Sequence, residues 1–311
     1  MSTPQLNRPS GSTLAYALDY ALVDVFAERA LEGNQLAIFT DARGLSTEQM
    51  QALARETNLA ETTFILPEED ESQGVRVRIF TVQEELPFAG HPTLGTASWL
   101  FWSHPTLRDA AEITLRLNAG PITVRFQVPV AGEVGAFGTM KQNDPVFGMI
   151  HSHEEVARAM GVAMEDLEPD LPIQTVSTGL PFCIVPMTSL AAIERLCIPQ
   201  VVAQAYLAGT DAKFFYCTTP ADPASGADFH SRMQFYNGED PATGSASGCA
   251  IAYLVHHKVV RSSEQIVFEQ GIEIRRPSRV YVSAAQRGDD VTDVFVSGRT
   301  IPVASGRFFQ R

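Results

Sequence analysis

Between residues 20 and 66 the apolar positions change period twice, from strand-like to helical and back. Residues 20–26 and 36–39 are short apolar runs split by Gly33-Asn34, the signature of two strands and a turn. A helix is predicted from Ser46 to about Asn58. Ser46 can cap its start while Gln49 returns the hydrogen bond, and Leu45 and Met50 stand where a hydrophobic staple packs. Asn58 suits a left-handed cap. Residues 61–66 resume a strand pattern with 74–82 as its alternating partner, so Glu61 stands at a helix-to-strand junction. An apolar helix is expected from near Pro92 through Trp102, then strands at 112–117 and 122–128. The second half predicts helices at 152–160 and 189–196, with strands at 173–177, 182–186, 213–218 and 229–236. A last long helix from about Ala242 to His257 precedes strands at 265–269, 280–284 and 291–301.

Part of this pattern occurs twice. His91-Pro-Thr-Leu-Gly-Thr-Ala-Ser98 lies over Asp240-Pro-Ala-Thr-Gly-Ser-Ala-Ser247 without a gap, and Thr96 faces Ser245. Each copy follows a similar strand, Arg78-Ile-Phe80 or Arg232-Met-Gln-Phe235, and opens a helix. Gly33-Asn-Gln-Leu-Ala-Ile-Phe39 is loosely echoed by Gly179-Leu-Pro-Phe-Cys-Ile-Val185. Two copies are too few for a solenoid. They predict an α+β chain of two pseudo-symmetric domains, each a mainly antiparallel sheet wrapped around one apolar helix. The expected limits are a mobile tail over residues 1–14, an N-terminal domain over 15–130 and a C-terminal domain over 131–311.

Composition narrows the partners. The length of 311 residues suits two domains of about 150 each, and 45% apolar residues read as globular. A formal charge of -13 argues against nucleic acid or an anionic membrane. Arg275-Arg276 with Arg279 reads as a solvated strand end. Cys183, Cys197, Cys217 and Cys249 lack metal or disulfide spacing, so four small buried side chains in a reducing cytoplasm are expected. Residues 1–13 lack the apolar core of a signal peptide, and no window approaches the ~18 apolar residues of a membrane span. The histidines are scattered and no nucleotide-binding glycine motif occurs, so no metal site and no nucleotide are expected.

The two Pro-containing helix starts are the first candidate chemistry. Free N–H groups and the positive dipole end make each an anion site, and facing domains would bring both to one cleft suited to a small carboxylate. Gly90, Gly95 and Gly244 would let backbone approach the ligand. Asp240 has a plainer role as a helix N-cap, and His91 as a turn residue. Glu61 taken alone is more often a surface carboxylate. Its entry into the apolar run Thr62-Thr-Phe-Ile-Leu66 favours the neutral acid, which suits proton transfer near neutral pH.

Four runs in order resemble the PhzF-like family of phenazine biosynthesis: Asn58-Leu-Ala-Glu-Thr-Thr-Phe64, Glu85-Leu-Pro-Phe-Ala-Gly-His-Pro-Thr-Leu-Gly95, Thr178-Gly-Leu-Pro-Phe182 and Glu239-Asp-Pro-Ala-Thr-Gly-Ser-Ala246. The similarity extends from about Tyr20 onward. It implies the diaminopimelate-epimerase-like fold, two barrel-like domains with the active site between them, in which the strand over 291–311 can return to the first domain. It also implies a homodimer that needs no cofactor. Glu61 would shuttle a proton, assisted by His91 and Asp240, with Gly90, Gly244 and Ser245 around the substrate. That substrate in the family's isomerase is trans-2,3-dihydro-3-hydroxyanthranilate. Related racemases use two thiols at the helix starts; here His91 and Asp240 stand there, with no cysteine beside either. Two features depart from the family pattern: Gln35 follows Gly33-Asn34 where proline is usual, and the segment 235–238 bordering the cleft is short. The competing expectations are another proton-transferring epimerase or isomerase on this scaffold, and a ligand-binding protein without catalysis. Glu61, His91 and Asp240 together favour an enzyme.

Overall fold

The apolar runs of the first half form β1 (Tyr16–Val25), β2 (Asn34–Phe39), β3 (Glu61–Leu66), β4 (Val75–Thr81), β5 (Glu85–Leu86), β6 (Glu112–Leu117), β7 (Gly120–Phe126) and β8 (Ala136–Lys141), with helices α1 (Thr47–Thr57) and α2 (Gly90–Ser103). The second half adds β9 (Val146–His151), α3 (His153–Met160), β10 (Ile173–Ser177), β11 (Pro181–Pro186), α4 (Leu190–Glu194), α5 (Gln200–Leu207) and β12 (Phe214–Pro220). It closes with β13 (Phe229–Arg232), β14 (Gln234–Phe235), β15 (Gly238–Glu239), α6 (Gly244–His256), β16 (Ile266–Gln270), β17 (Ser278–Arg287) and β18 (Asp290–Gln310). This computed structural model describes residues 16–130, 132–236 and 238–310, and the tail expected at 1–14 lies outside the described residues.

Hydrogen-bonded neighbours run β1, β2, β3, β4, β6, β7, β8 and β18, and β18 pairs back to β1, closing a ring. α2 packs on β1, β2, β3, β6, β7, β8 and β18. Gly90 to Ser98, Leu100 and Phe101 are all buried, so the helix keeps no wet face and fills the ring as its core. From β18 the sheet continues through β17, β16, β13, β12, β11, β10 and β9, and α6 packs on β10, β11, β17 and β18.

The pairing order repeats. β1–β2, β3–β4 and β6–β7 are antiparallel while β2–β3 and β4–β6 are parallel. β10–β11, β12–β13 and β16–β17 are likewise antiparallel while β11–β12 and β13–β16 are parallel. A parallel pair needs a long crossover. α1 and α2 provide those crossovers in one half, and α4 with α5, then α6, in the other.

α1 forms as its sequence dictates. Ser46 and Gln49 complete the capping box, and Asn58 takes φ 52° as the left-handed cap. Leu45, Met50, Leu53 and Ala54 bury with Phe39, Phe64 and Phe80, and Asn58 leaves two residues before Glu61 begins β3.

Several expectations need correction. α2 starts at Gly90 rather than Pro92, and α6 starts at Gly244 rather than Ala242. α5, with exposed Val201 and Val202, is not foreseen, because adjacent β-branched residues argue against helix. β8 escapes notice because two of its three inward positions are Ala136 and Gly138, which blunt the alternating apolar signal. β18 runs on to Gln310, past the expected end at 301. Arg276 is no solvated strand end: its guanidinium bonds Asp24 at 2.6 Å and the Gly33 and Glu32 carbonyls. Cys197 is exposed, whereas the other three cysteines are buried.

Candidate active site

Glu61 is the first residue of β3, fixed between Leu36 of parallel β2 and Thr81 of antiparallel β4. Its side chain keeps 17% exposure, and Oε2 lies 3.5 Å from Nε2 of His91, whose side chain keeps 7%. These two atoms are nonetheless without a hydrogen-bond partner. Buried polar atoms are seldom left so. Burial pushes the Glu61 carboxyl up from 4.5 to about 8, helped by the negative charge of Asp240. Burial pulls the His91 imidazole down from 6.5 to about 3, against a hydrogen bond at the Gln35 main chain. At neutral pH the site therefore holds an uncharged imidazole beside a carboxyl able to titrate.

Asp240 is not the N-cap of α6, since Thr243 precedes the helix and makes no side-chain cap bond. Its carboxylate accepts from Thr243 Oγ1 at 2.6 Å and from Asn34 Nδ2 at 2.7 Å. Gln270 Nε2 secures the same turn through the Asp240 carbonyl at 2.8 Å and Thr243 Oγ1 at 3.0 Å. Burial raises Asp240 from 3.8 to about 6, against the pull of its bonds to Thr243 and Asn34.

The two helix starts meet. A Cβ placed on Gly90 would stand 3.5 Å from the Ser245 amide nitrogen, so the first turns of α2 and α6 present their N–H groups side by side. At Gly244 a Cβ would lie 2.8 Å from Phe26 Cζ, which only glycine avoids at this packing distance. Glu61, His91, Asp240, Gly90, Gly244 and Ser245 thus gather around one junction between the helix starts.

Asn34 carries no assignment from the sequence, although Gly33-Asn34 is marked there as a turn. Its amide nitrogen touches His91 Nδ1 at 3.3 Å as well as Asp240 and the Ala242 carbonyl. Also missed are Phe214 and Tyr236. Leu36 pairs with Glu61 and Phe182 with Phe214, so the echo of 33–39 in 179–185 makes Phe214 the counterpart of Glu61. Phe214 clusters with Phe235 at 6.0 Å and Tyr236 at 6.2 Å between ring centres. Burial raises the Tyr236 phenol, aided by the charges of Glu84 and then Glu61. Of the short segment at 235–238, Asn237 lies outside the described residues. Among the described residues no group of three or more His, Cys, Asp or Glu side chains is placed to hold a metal ion.

Residues 23–306 match the family described as phenazine biosynthesis-like protein. The trans-2,3-dihydro-3-hydroxyanthranilate isomerase of Pseudomonas aeruginosa is 35% identical over 296 residues, covering 93% of this chain and 99% of that protein. The crystal structure of a PhzF-family phenazine biosynthesis protein from Bacillus anthracis superposes with a TM-score of 0.83 at 29% identity, covering 94% of this chain and 99% of that one. A hydroxyproline epimerase from Agrobacterium vitis shares the fold at 12% identity, with a TM-score of 0.64 over 94% of this chain and 92% of that one. The chain belongs to the phenazine biosynthesis-like protein family.

Proposed function

We propose that the protein is a cofactor-independent isomerase. It moves a proton on a small cyclic amino or hydroxy carboxylate resembling trans-2,3-dihydro-3-hydroxyanthranilate, within phenazine-type or related secondary metabolism. The observation that carries this reading is the pair of unpartnered atoms, Glu61 Oε2 and His91 Nε2, facing each other across 3.5 Å in a buried site. Empty hydrogen-bonding capacity there is what a polar substrate would fill.

In the proposed mechanism the substrate carboxylate lies against the N–H groups of α2 and α6 around Gly90, Gly244 and Ser245. Asp240, held ionised by Asn34 and Thr243, takes a substrate amine or hydroxyl. Glu61 as carboxylate removes a proton from an acidified carbon, and the freed electron pair spreads through the conjugated system. As carboxylic acid it returns the proton to another carbon, so the reaction is an isomerisation with no net gain or loss. An enol or enamine so formed relaxes to its keto form. The helix starts carry His91 and Asp240 with no thiol beside either, which favours Glu61 as a single carrier over a two-thiol racemase.

The repeated strand pairing supports a reading as two pseudo-symmetric domains with the site between them. The exposed Val146, Met149 and Ile150 on β9, at the end of the sheet, support a homodimer. The reading is tested by offering the dihydro-hydroxyanthranilate and related cyclic acids in deuterium oxide. An isomer carrying deuterium at the carbon protonated as the enol relaxes to its keto form is expected, and no isomer from any of them would overturn it.

A further inference from the structure

Gln270 ends β16, is wholly buried, and reaches the Asp240 turn with its side-chain amide. Main-chain groups fix the orientation of that amide. Nε2 donates to the Asp240 carbonyl at 2.8 Å, and Oε1 accepts from the Thr243 amide at 3.2 Å. The flipped form would set oxygen against oxygen and hydrogen against hydrogen at these contacts. The second Nε2 hydrogen therefore points at Thr243 Oγ1, 3.0 Å away. The Thr243 hydroxyl has one hydrogen, with this donor on one side and Asp240 Oδ2 at 2.6 Å on the other. That hydrogen goes to the carboxylate. Asp240 Oδ1 takes another from Asn34 at 2.7 Å, so both oxygens receive hydrogens, which favours the carboxylate over the acid.

The same direction runs behind Gln270. Ser247 Oγ donates to the Thr243 carbonyl at 3.0 Å, which leaves the buried Tyr216 hydroxyl to donate to Ser247 Oγ at 3.0 Å or Gln270 Oε1 at 3.4 Å. Burial pushes Tyr216 up to about 12, so it keeps its hydrogen at neutral pH. Of the other titratable groups around Asp240, Glu239 opposes its charge but is paired with Arg232 at 2.6 Å. Glu61 of β3 feels the Asp240 charge, and the uncharged His91 ring lies beyond Asn34.

We propose that Gln270 is a positioning residue that, through the Thr243 hydroxyl, fixes Asp240 as an ionised acceptor for an ammonium or hydroxyl group of the substrate. The direction of the bonds stands apart from the proposed isomerase activity; only the role toward substrate rests on it.

The test follows the Asp240 carboxyl carbon by 13C spectroscopy across pH in aspartate-labelled protein, with Asp240→Asn identifying the signal by its loss. Gln270→Glu has at most one hydrogen, which the Asp240 carbonyl takes, so it offers Thr243 an acceptor in place of a donor. Thr243→Val removes the hydroxyl. Each single variant should raise the Asp240 midpoint by about one pH unit or more, the worth of one hydrogen bond to a charged group. Gln270→Glu should raise it by less when added to Thr243→Val. KM for the dihydro-hydroxyanthranilate should rise about tenfold in Gln270→Glu, more than kcat falls. An unchanged midpoint in either folded single variant overturns the proposal. So does an equal shift from Gln270→Glu with and without the Thr243 hydroxyl, which would mean that its charge alone acts. If the variants do not fold, neutron diffraction from wild-type crystals grown in deuterium oxide decides. A deuteron pointing from Thr243 Oγ1 to Asp240 Oδ2 supports the proposal, and any other orientation overturns it. Raised midpoints in a protein that isomerises no cyclic acid would retain the network and reject the function.

Discussion

Glu61 owes its chemistry to two neighbours of different kinds. The apolar surroundings favour its neutral form, and Asp240 adds a negative charge that opposes a second one. In the proposed mechanism Glu61 is ionised to accept a proton, so kcat/KM should rise with pH through an apparent value near 8, measured as a pH–rate profile. An acid limb near 4.5 would show an ordinary carboxyl instead. The stability effect has the opposite sense. The folded state holds a proton on Glu61 between 4.5 and about 8 that the unfolded chain has lost, so stability falls as pH rises through that window. Glu61→Gln should therefore raise stability at pH 9, on the order of 2 kcal/mol in denaturant unfolding, since it removes a buried charge. Glu61, His91 and Asp240 are legible in the sequence because each lies in a short run with a marked position. Asn34 is not, since its partners at 91 and 240 are distant in sequence and nothing local signals them.

Elements were readable where local chemistry decides them. The cap residues Ser46, Gln49 and Asn58 fixed α1 to the residue, whereas the shared Pro-Gly pattern misplaced both helix starts. α2 winds before its proline and α6 only after it, because Asp240 and Thr243 form a separate braced turn. Further along that half, β13 is tied to β16 and the connection that follows. Burial opposes a charge on His230, but bonds to Glu269 at 3.0 Å and Glu273 at 2.9 Å override it and lift the imidazole from 6.5 to about 9. Stability from this pairing is fully present below 6.5 and is lost as pH rises through about 9. His230→Gln should then cost about 3 kcal/mol at pH 6, with a smaller cost at pH 10, in melts across that range. A cost independent of pH would mean that His230 serves packing alone.

For the whole molecule, β18 is the joint. Up to Thr300 it pairs with β8, and from there to its end it pairs with β1. Its first stretch also pairs with β17, so one strand serves both halves of the sheet. The sequence pattern of alternating residues at 291–301 could show a strand, but not that the chain passes from one set of partners to another. Removing residues 302–311 would strip β1 of most of its pairing with β18 and open the ring along that seam. Loss of a cooperative thermal transition is expected, and an unchanged melt would show that the ring does not depend on this closure. Arg276 joins the halves from another side, through Asp24 and the carbonyls preceding Asn34. Arg276 thereby holds the chain next to Asn34, which bonds Asp240 and touches His91. The most direct measurement is therefore turnover of the dihydro-hydroxyanthranilate by Glu61→Gln, shown by circular dichroism to be folded. A loss of about 10³-fold relative to the wild-type protein is predicted, and undiminished turnover would contradict Glu61 as the proton carrier.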